Sequence, residues 1–356
     1  MNYTVHIVLR PAIVFGIAMG ALLMTTSNAT HAQQAPAPHL SIPQADPALA
    51  AITAKFTDYD VILRPDEDKP EWWAGAPSVV HDDGVFWLAA RMRTQEADRG
   101  LRGYEIRILR SEDGVNFEAV HRIRREDVPI PGFERPALLK DPATGQFKLY
   151  ACGPFGDQPW NIIKFDDADS PEQFDPKTAR TVIAPPAKTY ERDQAVVEYK
   201  DPVILHAQGA YHCYLIGYMR KNERIYHYTS ADGETWQPVG NPYNSVMELS
   251  GWHDFFIRPS SVLPLGMGYL FVYEGSKTDW YDPVYNVATG LGFTFDLHHI
   301  IDLTPDGPLA VSTTPSEHFA TFRYSAWLEV EGEIWVYAEA TCPNNTHEIR
   351  RYRLKK

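Results

Sequence analysis

The sequence predicts an all-β chain folded as a five-bladed β-propeller, and three observations carry that prediction. The first is a phrase that occurs five times: an opening Pro or Ser, a short strand, a turn glycine and a longer strand. It runs from Pro77 to Gly84 and Val85-Phe86-Trp87-Leu88, and from Pro136 to Gly145 and Phe147-Lys148-Leu149-Tyr150. It returns from Pro202 to Gly209 and Tyr211-His212-Cys213-Tyr214, from Pro259 to Gly266 and Tyr269-Leu270-Phe271-Val272-Tyr273, and from Ser325 to Gly332 and Ile334-Trp335-Val336-Tyr337. The second is register: the glycine stands seven positions after the opening residue in four copies, and nine after it in the copy carrying Asp141-Pro142. The third is spacing, with openings every 57 to 66 residues. One small sheet cannot bury both faces alone but does so between two neighbours, which is the logic of a radial array. A β-sandwich also supplies hairpins, but it gives no reason for five glycines in phase.

Ahead of the repeats, residues 1–32 read as a secretory signal peptide. Arg10 precedes the apolar run from Ile13 to Met24, which is short for a membrane span, and Thr30-His31-Ala32 offers a small-residue cleavage site. A retained N-terminal anchor is the alternative. Residues 33–47, rich in Ala, Pro and Gln, read as part of a flexible segment extending to residue 55. The propeller domain then spans residues 56–356. The expected location is periplasmic or secreted, with no integral membrane domain once the leader is removed.

Removing the leader takes away Arg10 and no acid, so the formal charge moves from −13 to −14. Such a surface repels nucleic acid, and no zinc-finger, P-loop or dinucleotide motif argues otherwise. No cofactor is expected, and no His or Asp spacing calls for a metal. Cys152, Cys213 and Cys342 fall at or just after the second strands of three different repeats, which suits buried small hydrophobes better than a disulfide framework.

Taken in order, residues 56–64 form a strand suited to closing the ring against residues 349–354. Blade one runs from Trp73 to about Ile123. Its third strand, Tyr104-Glu105-Ile106-Arg107-Ile108-Leu109, alternates strictly and enters a Ser111-Glu112-Asp113-Gly114 turn; blade three repeats the device as Ser230-Ala231-Asp232-Gly233. Asp-Gly supplies the positive backbone angle of a tight hairpin. Blade two runs from Glu134 to about Ile183; its acidic loop, residues 166–171, lacks the ligand alternation of a calcium site and reads as a solvated turn. Blade four, from Arg258, carries an insertion after its second strand, residues 275–285, whose Trp280 and Tyr281 are candidates for stacking on a sugar or for wedging between blades. Blade five starts near Tyr324.

In such a ring the innermost strands surround the axis, so the residue just before each opening Pro or Ser faces a central funnel. Those positions hold Ala76, Arg135, Asp201, Arg258 and Tyr324, with Glu134 and Lys200 beside them and Arg91, Arg93, Glu274 and Glu339 at second-strand ends. Charges gathered at equivalent, partly buried positions need partners or a ligand. Glycosidic cleavage uses one carboxylic acid to protonate the leaving oxygen and usually a second carboxylate as base or nucleophile. Asp201, Glu134 and Glu274 are the catalytic candidates. Arg91, Arg93, Arg135, Lys200, Arg258, Asp254, His318, Tyr324 and Glu339 are the candidates for binding substrate, the arginines suiting an acidic sugar.

These phrases give the chain its resemblance to the five-bladed propeller glycosidases, most closely glycoside hydrolase family 130, with families 43 and 32 as relatives. The resemblance extends over roughly residues 72–356. Lys200-Asp201 is similar to the family's third-blade Lys-Asp, and Gly268-Tyr269-Leu270 with Tyr273-Glu274-Gly275 is similar to its fourth-blade phrase. Ala76-Pro77 and Ala90-Arg91 stand where the family has Asn-Pro and Tyr-Arg. Glu134-Arg135-Pro136-Ala137 stands where it has Glu-Asp-Pro-Arg, so the proton-donor position holds Arg135, which delivers no proton at ordinary pH. The fourth-blade His tied to phosphate in the phosphorylases is Glu274 here, which favours hydrolysis over phosphorolysis. The resemblance implies an exported carbohydrate-active enzyme, a glycoside hydrolase acting on a polar or anionic oligosaccharide or polysaccharide. A saccharide-binding propeller without cleavage and a protein-interaction propeller stay open.

Overall fold

The computed structural model describes residues 56–354 apart from 157–158, 187–195 and 220–221. The expected leader and flexible segment lie outside the described residues. Among those described, twenty strands make up nearly all the regular structure, and no helix is long and apolar enough to cross a membrane.

The strands pair antiparallel in five meanders of four. An amino-terminal strand, β1 (Asp60–Leu63), comes before the first of them. The first meander holds β2 (Trp73–Asp82), β3 (Val85–Arg93), β4 (Gly103–Ser111) and β5 (Glu118–Arg124). The second holds β6 (Ala137–Lys140), β7 (Phe147–Pro154), β8 (Trp160–Lys164) and β9 (Arg180–Ile183). The third holds β10 (Tyr199–Ala207), β11 (Ala210–Met219), β12 (Asn222–Ser230) and β13 (Gln237–Pro238). The fourth holds β14 (Phe256–Leu265), β15 (Gly268–Ser276), β16 (Ala288–Thr294) and β17 (Ile301–Asp302). The fifth holds β18 (Phe322–Val330), β19 (Glu333–Thr341) and β20 (His347–Leu354), and β1 completes it. That strand pairs with β20 through Asp60↔Arg351 and Leu63↔Ile349, the partner expected from the sequence. One parallel pair, Trp73↔His347, joins the fifth meander to the first.

Each meander's first strand packs on the first strand of the next, and β18 packs back on β2. The cores fall between neighbours. Trp87, Ile106 and Ile108 of the first meander meet Phe147, Leu149 and Ile163 of the second, and Leu88 and Leu109 meet Tyr337 and Ile349 of the fifth. Every sheet therefore buries two faces against two different partners, as the recurring apolar second strands require.

A repeated polar contact bridges three of the five junctions between these sheets. In the Ser111 turn, Asp113 Oδ1 accepts from the backbone N–H of Val115 and Asn116, both at 2.8 Å, and Ser111 Oγ accepts from Gly114 N at 3.0 Å. The Ser230 turn repeats this with Asp232 and Gly233. A third copy, unmarked in sequence because Leu297 takes the glycine's place at φ 62°, is built on Asp296. Each turn offers its carbonyl to a second-strand tyrosine of the preceding sheet: Tyr337 donates to Gly114 at 2.8 Å, Tyr150 to Gly233 at 2.7 Å, and Tyr214 to Leu297.

The first strands also share an irregularity. β2, β10, β14 and β18 each shift register near their starts, and Ala76, Asp201 and Tyr324 sit there at φ 50°, 52° and 52°. The following Pro77 and Pro202 have no N–H to lose from the ladder, so a bulge costs less there than in mid-strand. All three cysteines are free, Cys152 and Cys213 buried and Cys342 half-buried. Within the 275–285 insertion, Trp280 packs against Trp252 while Tyr281 is 60% exposed. Asp167, in the acidic loop, is bound to Lys148 and Lys164 at 2.5 Å each.

Because Tyr337 bonds the fifth sheet to the first, Tyr337→Phe should lower unfolding free energy by about 1–2 kcal/mol. Urea denaturation measures this. An unchanged midpoint would mean that the hydroxyl contributes nothing to closing the ring.

Candidate functional site

The irregular starts of the first strands open onto a cavity of about 210 Å³. Its lining residues are Arg93, Arg99, Gly100, Glu134, Lys200, Asp201, Glu223, Arg258, Val284, Tyr285, Arg323 and Tyr324. The structure thus brings together Arg93, Glu134, Lys200, Asp201, Arg258 and Tyr324 from the sequence-derived candidates. Five cationic side chains face three acidic ones, in a chain whose net charge is −13.

Asp201 is buried in the wall, at the bulge near the start of β10. Its Oδ2 accepts from the Tyr324 hydroxyl at 3.0 Å and its Oδ1 from the backbone N–H of Arg135 at 3.1 Å. The Cys152 thiol lies 3.6 Å from Oδ1. Burial and the Asp201 carboxylate push the Tyr324 phenol up to about 12, so it stays protonated and donates. Glu223 joins Arg258 and Lys200; burial opposes its charge, but these two cations hold its carboxyl down at about 2. Glu134 is paired with Arg91.

Four candidates stand behind the cavity wall instead of on it. Arg135 turns its guanidinium to the carbonyls of Pro259 at 3.0 Å and Ser260 at 2.5 Å. Glu339 is fully buried and accepts from Arg323 Nε and Nη2 at 2.9 and 2.7 Å, His347 Nδ1 at 2.6 Å, Arg91 Nη2 at 3.2 Å and Ala76 N at 3.1 Å. Burial opposes its charge, yet Arg323, His347 and Arg91 hold it well below the usual carboxylate range. Arg91 is consumed by this network and by Glu134. Glu274, a catalytic candidate from the sequence, accepts from Ser260 Oγ at 2.8 Å and from Tyr324 N, while its buried Oε2 has no hydrogen-bond partner among the described residues. It supports the residue that touches Asp201.

Two further candidates lie elsewhere. Asp254 is exposed and accepts from Thr278 N and Oγ1 at 2.7 and 2.9 Å. His318 is exposed on a second cavity of about 350 Å³, which shares only Arg99 and Tyr285 with the first.

Sequence reasoning missed Arg99, Glu223, Tyr285 and Arg323. Arg323 had a readable signal, since it precedes Tyr324 as Lys200 precedes Asp201. Glu223 starts a third strand and Tyr285 ends the insertion, positions that the register of the repeats does not mark.

No family model matches the chain, and no curated protein matches it. The fold is nonetheless shared with solved proteins of the GH130 type. A BT0996 complex with RGII superposes with a TM-score of 0.61 at 13% identity, covering 86% of this protein and 96% of that one. A GH130 protein, from work on mannoside phosphorylases and glycoside hydrolases that target β-1,2-mannosidic linkages in Candida mannan, gives 0.60 at 14%, covering 83% and 93%. The β-1,2-mannobiose phosphorylase of Listeria innocua, in complex with β-1,2-mannobiose, gives 0.61 at 12%, covering 83% and 94%. At these identities the likeness is one of fold.

Burial pushes the Glu274 carboxyl up from 4.5 to about 7, outweighing Arg135. The folded state then holds its proton where the unfolded chain releases it, so stability is full below about pH 4.5 and falls as pH rises through 7. Glu274→Gln should remove that slope, worth on the order of 3 kcal/mol at most. Urea midpoints at pH 5 and pH 8 test it, and parallel losses in both proteins would overturn the assignment.

Proposed function

We propose that the protein is an exported carbohydrate-active enzyme, a five-bladed β-propeller whose cavity takes an acidic, uronic-acid-like sugar of an oligosaccharide and hydrolyses the adjoining glycosidic bond. The observation that carries this reading is the cluster of Arg93, Arg99, Lys200, Arg258 and Arg323 around one small cavity with Asp201 on its wall. Guanidinium groups match a carboxylate in geometry and charge, and a low-dielectric wall strengthens the pairing. A cavity of this size suits one sugar ring better than a larger ligand. The shared fold with GH130-type proteins supports the saccharide class, the closed ring of five meanders supports the propeller, and the apolar N-terminal run supports export.

In this mechanism the acidic sugar is fixed by the arginines, and Asp201 exchanges a proton with the glycosidic oxygen. Tyr324 and the Arg135 backbone N–H hold the Asp201 carboxyl in place. Glu274 and Ser260 in turn hold the strand that presents Tyr324.

Saccharide binding without cleavage is favoured by a different observation. Glu223 is pinned by two cations, Glu134 is paired with Arg91, and Arg135 occupies the family's donor position. The two readings separate on one experiment, in which the protein and Asp201→Asn are incubated with neutral and uronic-acid oligosaccharides, with and without phosphate, and the products are weighed by mass spectrometry. Hydrolysis of an acidic oligosaccharide, reduced on the order of 10²–10⁴-fold by Asp201→Asn with binding retained, is the expected result. Saturable binding without product moves the protein to the second reading, and a sugar phosphate as product rules out hydrolysis.

A further inference from the structure

The cavity holds a second group whose surroundings suit covalent chemistry. The Tyr285 hydroxyl oxygen accepts from Arg93 Nη2 at 3.1 Å and from Arg99 Nε at 2.9 Å. A neutral phenol with both donors in place must aim its own O–H elsewhere, and a phenolate there gains two charge-assisted hydrogen bonds. The Arg99 guanidinium carbon lies 4.2 Å from the ring centroid, Arg93 5.6 Å and Arg323 5.7 Å. These cations come from the end of β3, the loop after it and the start of β18. Asp282 accepts from Arg99 Nη2 at 2.8 Å and Glu339 from Arg323 Nη2 at 2.7 Å, and Glu134, Asp201 and Glu223 line the same cavity, with Glu71 on the adjoining one. Trp73 and Phe319 hold the ring at 5.2 and 5.1 Å, and Lys200, Arg258, Arg102 and His318 complete the charged and titratable lining of the two cavities it borders. Its own backbone is fixed, since Tyr285 O accepts from Thr321 Oγ1 at 2.5 Å.

We infer that Tyr285 is the nucleophile of the glycoside hydrolysis, attacking the anomeric carbon of the acidic sugar opposite Asp201. The inference rests on the acidic-sugar reading above and supplies the second catalytic group that the carboxylates leave unfilled. A carboxylate nucleophile beside an anionic sugar meets like-charge repulsion, whereas a phenol carries its charge only when three guanidiniums neutralise it. Burial works against ionisation of Tyr285, but Arg93, Arg99 and Arg323 outweigh it and lower its pKa below the ordinary phenol value.

The steps balance without any further reagent. The phenolate oxygen bonds to the anomeric carbon while the glycosidic C–O bond breaks. The departing oxygen keeps the electron pair and takes a proton that Asp201 has acquired from solvent before the step. Water then attacks the same carbon, Asp201 takes its proton, and the carbon–phenol bond breaks to restore the phenolate. Two displacements give a product of retained anomeric configuration.

Two measurements decide the assignment. Ultraviolet difference titration of the substrate-free protein should show one phenol ionising before the others, absent in Tyr285→Phe; superimposable curves for the two proteins overturn the proposal. An activated 2-fluoro-glucuronide should leave a covalent adduct that peptide mass spectrometry places on Tyr285, with retention seen by NMR on a cleaved uronide. Inversion, or an adduct on Asp201 or Glu134, overturns the Tyr285 role and leaves the acidic-sugar reading standing. A normal early-ionising phenol with neither binding nor cleavage of any uronide overturns that reading, and this proposal with it.

Discussion

One buried carboxylate ties the ring where it closes. Glu339, on the fifth sheet, receives Arg323 and His347 from its own sheet and Arg91 and the Ala76 N–H from the first. Taking a carboxylate out of water is costly, and attraction repays it only when the remaining lone pairs are filled. Here they are filled from both sides of the seam. The approach is so close that a Cβ on Gly75 would lie 1.8 Å from Glu339 Oε2, so the glycine is a steric requirement. The same Arg323 faces the cavity, and the seam and the site are therefore one charged network.

This arrangement explains why the cavity is cationic although the protein is acidic. Glu339 meets the Arg323 charge from behind the wall, while Arg93, Arg258 and Arg323 present themselves in front, where Glu134, Asp201 and Glu223 are outnumbered. Charge is sorted by depth. Arg135 shows the same sorting in reverse: its guanidinium is spent on two backbone carbonyls, and its contribution to the cavity is a backbone N–H that holds Asp201.

The repeat was legible because it is written in residues with narrow conformational uses. Turn glycines, opening prolines and Asp-Gly hairpins mark fixed backbone states, and one side chain per inner strand could be placed on the axis from them. Asp201, Arg258 and Tyr324 were found in that way. Glu274 and Glu339 were placed in the same funnel because alternation gives a face and not a depth; only packing shows that they lie beneath it. The third Asp-centred turn escaped notice because Leu297 adopts the left-handed conformation without a glycine. Tyr285 escaped because it comes from an insertion with no counterpart in the other repeats.

The strand that completes the fifth sheet has a consequence for the order of events during folding. β1 and β20 meet through Arg351 and Asp60, 291 residues apart, bonded at 2.6 and 3.1 Å. Pairings so distant in sequence form slowly, because the loop must close before the contact rewards it. Without β20, the fifth sheet lacks its outer edge, β1 lacks its partner and Glu339 lacks His347. A polypeptide that lacks β20 loses the β1 pairing and the His347 bond to Glu339, and the apolar edge it leaves uncovered favours aggregation.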